Sequence, residues 1–325
     1  MNRSILSRMR VALVVTALAL FVACGGGIDG TGSTPPGQAI TSSGVMTKGS
    51  VILNGVRFDD STAVITDDLG RNAAQLANGM VVRLRGRSDD NVNGVAERID
   101  VENELRAPII SINAAALPLS FVAAGLTMLV DSETVFANVA NFAALAVGMR
   151  VEVHGLRDAF GFLHASRVEV VAAGQGVDEV RGTVSALNTI ASTFLLNGSI
   201  VVNYANATFN PPGASAASLA NGTLVEVRGG NLAGLVFLAT QVDIEDLEDD
   251  ALRGRVGEKQ DVEGFVTGFT AHPGTFLVNG RTVSTTASTR FVGGTAADLI
   301  NNAKVEASGV IDAQDVLVAS VIEFR

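Results

Sequence analysis

The sequence predicts an all-β protein built as a tandem array of four small five-stranded β-barrels. One spacing pattern occurs four times along the chain: a Leu, a Gly three residues later, a Gly seven further, an Ala ten further, and a Val or Ile three further. Because the pattern returns at intervals of about 70 to 80 residues with nearly unchanged internal spacing, it indicates repeats of one domain. The four sets are Leu76, Gly79, Gly86, Ala96 and Ile99; Leu145, Gly148, Gly155, Ala165 and Val168; Leu219, Gly222, Gly229, Ala239 and Val242; and Leu299, Asn302, Gly309, Ala319 and Ile322.

The N-terminal segment, residues 1–24, has the features of a lipoprotein signal peptide. Three arginines precede an apolar run from Val11 to Val22 that is too short for a comfortable membrane span, and Ala23 precedes Cys24. Cys24 is the only cysteine, and its position resembles the lipobox of bacterial lipoproteins, which implies that it becomes the lipidated N-terminus. The alternative is an ordinary signal peptide cleaved near Ala23. Gly25 stands where Asp would favour the inner membrane, so the resemblance implies export and lipid anchoring to the outer membrane, with its face left open.

After Cys24 the composition is that of a tethered, acidic chain. Residues 25–42 begin with a stretch rich in Gly, Ser, Thr and Pro that lacks periodic apolar residues, so we expect a flexible tether. The chain has 23 Lys and Arg against 33 Asp and Glu, a net charge of −10, and loss of the three signal-peptide arginines would bring it to −13. This charge opposes binding to nucleic acid and is compatible with cations, polysaccharides or protein partners.

A hairpin signal precedes the shared Leu of every repeat. Asn-Gly between apolar strands favours a type I′ turn, because both residues accept a positive φ. The second repeat has Ala in place of the Asn. A Phe follows eleven residues after the turn Gly in the last three repeats, and we expect Phe136, Phe209 and Phe291 to anchor the cores. The turns are Asn54-Gly55, Ala124-Gly125, Asn197-Gly198 and Asn279-Gly280.

A strand of alternating polarity follows each Leu-x-x-Gly turn, as in Val151-Glu152-Val153-His154. Period two predicts that the apolar side chains face the core and the polar ones face solvent. The next Gly is expected to open a second hairpin, whose returning strand carries the Ala and Val or Ile positions. With a leading strand, each repeat has about five strands, which suggests an OB-like barrel because closure removes sheet edges. We place the repeats at 43–104, 105–175, 176–247 and 262–325, with an acidic linker at 248–261.

One uncharged stretch, from Ile109 to Val130, is long enough for a membrane helix. Asn113, Pro118 and Gly125 interrupt it. The repeat register divides it into a leading strand and a hairpin, so we expect strands here and not a membrane span.

Two segments of the first repeat carry a family resemblance. Residues Gly49 to Asp59 and Leu76 to Gly86 resemble the bacterial domain-of-unknown-function family 5666, which occurs as tandem copies in proteobacterial lipoproteins. The resemblance covers about residues 43–325. Ala124 and Asn302 depart from the pattern at turn positions, where Asn can still satisfy the required backbone. The family has no established activity, so the resemblance implies no catalytic residue.

The best metal candidate is a calcium-like loop in the first repeat. Asp89, Asn91, Asn93 and Asp100 place oxygen ligands at spacings typical of a D-x-[DN]-x-[DN]-G loop. The other repeats keep the same hairpin length without those ligands. A solvated hairpin tip is therefore the alternative interpretation.

The second repeat contains two histidines that flank one hairpin. His154 and His164 could face each other across it, which is the minimum geometry for a shared metal. The position of His154 is occupied by Arg85, Arg228 and Ser308 in the other repeats. We therefore expect an outward position that accepts polar residues, with no third ligand.

The sequence favours a binding or structural role over catalysis. It has three histidines, no nucleophile elbow and no Ser-x-x-Lys arrangement, so we expect no enzyme. The first hypothesis is a non-enzymatic cell-envelope lipoprotein whose barrels contact a protein or the cell wall. The alternative is a ligand-binding module for an oligosaccharide or a divalent cation on OB-like barrel faces. Lack of Trp and a single Tyr disfavour sugar stacking, and no cofactor beyond the calcium candidate is expected.

Overall fold

The computed structural model describes residues 37–47, 51–66, 75–88, 90, 92–115, 117–172, 177–230, 236–245 and 254–325. The signal peptide, Cys24 and most of the predicted tether lie outside these residues. The described chain is all-β apart from short 3-10 turns, which confirms the predicted class. Among its residues, no helix has the length and apolar character that a membrane span needs.

The strands fall into four successive groups, one for each repeat. The first repeat contains β1 (Gln38–Val45), β2 (Val51–Leu53), β3 (Val56–Asp59), β4 (Val64–Thr66), β5 (Val81–Ser88) and β6 (Asn93–Glu102). The second contains β7 (Leu105–Asn113), β8 (Leu119–Ala123), β9 (Leu126–Val130), β10 (Val135–Ala137), β11 (Arg150–Arg157) and β12 (Leu163–Val170). The uncharged stretch thus forms strands, as expected.

The third and fourth repeats follow the same order. The third contains β13 (Asp178–Asn188), β14 (Thr193–Leu196), β15 (Ile200–Asn203), β16 (Thr208–Asn210), β17 (Leu224–Gly230) and β18 (Val236–Ile244). The fourth contains β19 (Lys259–Thr267), β20 (Thr275–Val278), β21 (Arg281–Val292), β22 (Lys304–Ile311) and β23 (Leu317–Phe324). Strands β1 and β19 begin inside the predicted tether and acidic linker, because their first residues pair with neighbouring strands.

The main strands of each repeat form a closed circuit of pairing. In the second repeat, β7 pairs with β8 and β11, β9 pairs with β8 and runs parallel to β12, and β11 pairs with β12. The third and fourth repeats use the same order. In the first repeat, a bridge between Thr47 and Ile52 links the end of β1 to β2. Such a circuit leaves no long strand edge open.

The repeats are not a string of separate units. Strand β1 runs parallel to β19, so the first and fourth repeats share one sheet. Strand β7 runs antiparallel to β13, so the second and third repeats share another. The expectation of independent barrels arranged in chain order is therefore corrected, because hydrogen-bonded ladders join the repeats in pairs.

The spacing pattern marks core and turn positions, as predicted. All four Leu, Ala and Val or Ile positions are buried. Gly79, Gly148 and Gly222 adopt positive φ, and Asn302 does so at 72°, which confirms that Asn satisfies the turn. Each of these four residues donates its backbone N–H to a carbonyl of its repeat's first strand, or, in the first repeat, of the residue just after that strand. The pattern therefore fixes how the fourth main strand closes onto the first.

The second glycine of the pattern was assigned the wrong role. Gly86, Gly155, Gly229 and Gly309 lie within a strand at a β-bulge, and they do not open a hairpin. A Cβ at any of the four would overlap a carbonyl oxygen of the partner strand. Glycine is therefore required by the close approach of two backbones.

The predicted type I′ turns are confirmed by positive φ at both turn residues in all four repeats, including Ala124 at 48°. The core anchors differ from the prediction. Phe121, Phe194 and Phe276 are fully buried, whereas Phe136, Phe209 and Phe291 are partly buried and pack against the clusters.

Candidate functional site

The polar faces of the repeats meet inside the protein. Glu152 and His154 have no solvent exposure, so the prediction that His154 points outward is wrong. The His154 ring places Nδ1 2.7 Å from the Glu102 carbonyl oxygen and Nε2 3.2 Å from Glu152 Oε1. The polar side of strand β11 is buried because neighbouring repeats cover it with complementary groups.

Arg106 connects the second and third repeats. It is 1% exposed, and its Nε and Nη2 donate to Glu152 Oε2 at 3.2 and 3.0 Å. Its Nη1 donates to Glu179 Oε2 at 3.1 Å. Arg106 and Glu179 are also register partners in the β7–β13 ladder. Removing one member of such a buried set leaves an uncompensated charge, which costs about 3–5 kcal/mol.

A second group of charges connects the first and third repeats. Arg181 Nη2 lies 3.1 Å from Glu102 Oε1 and 3.2 Å from Glu245 Oε2, and Arg83 Nε lies 2.6 Å from Glu102 Oε1. Burial opposes the charge of Arg181, but Glu102, Glu245 and Glu104 outweigh it and raise its pKa. Burial alone would raise the pKa of Glu102, yet Arg181 and Arg83 hold it below the usual value.

A cavity of about 400 Å³, here called the carboxylate cavity, lies between the first and third repeats. Its walls include three guanidinium groups, of Arg83, Arg181 and Arg228. Burial, and then the neighbouring carboxylate of Glu179, raise the pKa of Glu226 well above its usual range. The wall of this cavity therefore has more carboxyl groups than guanidinium groups. Its acidic side chains are Asp100, Glu102, Glu179, Glu226, Asp243 and Glu245.

A second cavity of about 270 Å³, here called the hydroxyl cavity, lies where the first, third and fourth repeats meet. Arg83, Arg181 and Glu245 line both cavities. The remaining polar wall includes Thr41, Ser42, Ser43, Gln260, Asn279, Arg281, Thr282 and Asp315. Val262 and Leu224 are its apolar lining residues.

His164 lies at a third cavity of about 330 Å³, and not opposite His154. The β11–β12 register pairs His164 with Leu156 and His154 with Arg167, with the bulge at Gly155 between them. The His164 ring packs on Phe265 with centroids 4.4 Å apart, and its Nε2 lies 3.2 Å from Asp158 Oδ2. The two histidines are therefore held apart in different environments.

The calcium candidate is only partly described. Asp89, Asn91 and the lipidation candidate Cys24 lie outside the described residues. Asn93 and Asp100 are seven residues apart on β6, a separation of about 23 Å at the usual strand rise. Asp100 Oδ1 accepts a bond from Arg98 Nε at 3.1 Å. The structure does not bring these two residues together, and among described residues no group of three or more His, Cys, Asp or Glu could hold a metal.

Sequence reasoning missed the residues that join the repeats. The available signal was a charged residue inside the apolar leading strand, as in Leu105-Arg106-Ala107 and Val180-Arg181-Gly182. The fourth main strand places Glu152 and Glu226 opposite these two arginines. A buried charge next to an opposite charge indicates a covered face.

Comparison with known proteins identifies the domain. The family model described as "Domain of unknown function (DUF5666)" matches residues 39–100, 106–169, 181–243 and 263–323. No curated protein matches. A solved structure described as Drosophila Unr CSD456 aligns over 68% of this chain and 96% of its own, at 9% identity and a TM-score of 0.18, too low to support an argument. The four matches cover most of the sequence, so the chain belongs to the DUF5666 family, in four tandem copies.

Proposed function

We propose that this protein is a non-enzymatic cell-envelope lipoprotein, anchored to the outer membrane through Cys24, whose four repeats act as one interaction body. The observation that carries the proposal is the burial of Arg106, Glu152 and Glu179 between repeats. Because these charges join repeats, a partner meets a surface composed of several repeats. The partner is an envelope protein or the cell wall.

Each repeat is proposed to be an OB-like barrel. The support is the closed circuit of five main strands, in which the first strand lies between the second and fourth and the third runs parallel to the fifth. Closure of a short sheet in this order is typical of small Greek-key barrels. The buried charged groups bind one another, which supports a structural role for them.

Two experiments test the proposal. Cys24→Ala should move the protein from the membrane to the soluble fraction, and unchanged membrane retention would contradict lipid anchoring.

A photo-crosslinking residue at the exposed Phe160 or Ile190 should give specific partner adducts in cells. The buried Phe194 position is the matched control. Absence of any adduct above this control would contradict the interaction role.

A ligand-binding function is the second candidate, for an oligosaccharide or a divalent cation. The observation that favours it is the pair of polar cavities at the repeat junctions. A calcium titration separates the cation option. Saturation at about 100 times the dissociation constant should add about 2.7 kcal/mol of stability, and an unchanged melting temperature would exclude calcium.

A further inference from the structure

Three side chains that line the hydroxyl cavity each have a buried polar atom without a hydrogen-bond partner among the described residues. Thr41 is 2% exposed, and its Oγ1 meets no partner among the described residues. The same holds for the Nε atoms of Arg181 and Arg281, whose other guanidinium nitrogens form ion pairs. All three side chains line this one cavity. Buried polar atoms without partners are rare in folded proteins, so three of them on side chains that line one cavity indicate a site for polar atoms from outside the chain.

The charges around the cavity nearly cancel. Arg83, Arg181 and Arg281 supply three positive charges, and Glu245 and Asp315 supply two negative charges in the wall. Two more carboxylates, of Glu102 and Glu104, lie behind Arg181. A small anion would therefore meet carboxylates already bound to the arginines, and a small cation would meet three guanidinium groups. The balance favours a neutral ligand.

The wall chemistry specifies what kind of neutral ligand fits. Guanidinium and amide groups donate hydrogen bonds, while carboxylates and the hydroxyl groups of Thr41, Ser43 and Thr282 accept them. A volume of about 270 Å³ is just below the range of about 300–1,000 Å³ that holds drug-sized ligands, so the occupant is small. A molecule that offers several hydroxyl groups on one compact ring matches this wall.

We propose that the hydroxyl cavity binds one neutral sugar ring, held by hydrogen bonds and without aromatic stacking. This inference rests on the ligand-binding candidate function and is independent of lipid anchoring and of a protein partner. It identifies a junction between repeats as the site, and not the face of one barrel. The absence of Trp from the sequence is compatible with it, since no aromatic residue lines this cavity among the described residues.

The Arg281–Asp315 ion pair provides access to the site. The Nη2–Oδ1 distance is 2.8 Å, but the Asp315 side chain is 55% exposed, so the pair is weakly held. Sugar hydroxyl groups can replace Asp315 as the acceptor, and rotation of Arg281 then turns Nε toward the ligand. Thr41 stays fixed in the β1–β19 ladder, where its register partner is Gln260.

The test is saturation-transfer-difference NMR on the full-length chain in a detergent without a sugar headgroup. The probes are D-glucose, D-galactose and N-acetyl-D-glucosamine, with L-glucose as the control for nonspecific contact. At least one D-sugar should bind with a dissociation constant of about 1 mM or tighter. Thr41→Val and Arg281→Lys should each weaken it about five- to tenfold, because each removes one hydrogen-bonding group at nearly constant shape or charge.

Matched variants away from the cavity separate binding from folding. Thr127→Val and Arg87→Lys should leave the sugar affinity unchanged, and circular dichroism should show the same fold for all four variants. Binding no stronger than that of L-glucose overturns the inference, as does tighter binding of D-glucuronate than of D-glucose. If neither Thr41→Val nor Arg281→Lys weakens sugar binding, the hydroxyl cavity is not the site. The same holds if the protein binds calcium and no sugar. In both cases the ligand-binding function stands.

Discussion

Asp261 should destabilise the folded protein at neutral pH. It lies on β19, paired with Ser42 of β1 and Ser308 of β22. Burial raises its pKa from 3.8 to about 6, assisted by the negative charge of Glu306 and opposed by a Ser308 hydrogen bond and by Lys259. The folded state therefore holds the Asp261 proton more tightly than the unfolded chain does.

The sign of the effect follows from this difference. Below about pH 4, a carboxyl group with a raised pKa makes its largest contribution to the free energy of unfolding. This contribution falls as the pH rises to about 6, and it stays constant at higher pH. The interval between 3.8 and about 6 corresponds to at most about 3 kcal/mol. Because Asp261→Asn removes the charge at similar size, it should raise the free energy of unfolding at neutral pH by about 1–3 kcal/mol.

Urea denaturation followed by circular dichroism measures this effect. The gain from Asp261→Asn should be present at neutral pH and should disappear near about pH 4. Asp298→Asn is a control of opposite sign, because the Thr295 side chain and backbone N–H lower the pKa of Asp298. That variant should be less stable at neutral pH. If Asp261→Asn were destabilising at neutral pH, or equally stabilising at both pH values, the reasoning would be refuted.

Three further substitutions test the contacts that hold the repeats. Arg106→Met should lower the free energy of unfolding by about 3–5 kcal/mol in urea, whereas Arg87→Met at an exposed pair should cost less than about 1 kcal/mol. Gly229→Ala should cost more than about 2 kcal/mol because its Cβ meets the partner strand, and Gly230→Ala, whose Cβ meets no described residue within 4 Å, should cost less than about 1 kcal/mol. Asn302→Ala should cost about 1–2 kcal/mol by thermal melting, and Asn302→Gly less, because glycine restores only the positive φ. Equal losses within any of these pairs would contradict the assigned contact.

The repeated elements could be predicted from sequence because they depend on local chemistry. Asn54-Gly55 needs only a positive φ at two residues, and the burial of Leu76 needs only its place beside a turn. The bulge role of Gly86 could not be predicted, because the carbonyl that excludes a Cβ belongs to another strand. The sequence around Gly86 does not indicate how closely the backbone of that other strand approaches it.

The candidate site was missed because alternation was equated with solvent exposure. Val151-Glu152-Val153-His154 has the period of a half-buried strand, yet both of its faces are covered. A polar face can be buried when another repeat supplies a matching charge, as Glu179 of the third repeat does for Arg106 of the second. Comparison of the four repeats did not reveal this burial. The position of His154 carries a different polar residue in other repeats, and such variation is also what a solvent-exposed position shows.

One position of the leading strand differs between the two pairs of repeats that share a sheet. The leading strand has Ser43, Arg106, Arg181 and Glu263 at the position that pairs with Arg83, Glu152, Glu226 and Glu306 of the fourth main strand. The second and third repeats both have Arg at this position, and each has a Glu two residues earlier, Glu104 and Glu179. Because β7 and β13 are antiparallel, their ladder places Arg106 beside Glu179, whereas the parallel β1–β19 ladder places neutral Ser43 beside Val262. The two repeats that share the Arg and Glu residues therefore pair through opposite charges, and the two repeats that lack the Arg pair without them, which is one way in which charged positions discriminate between partners.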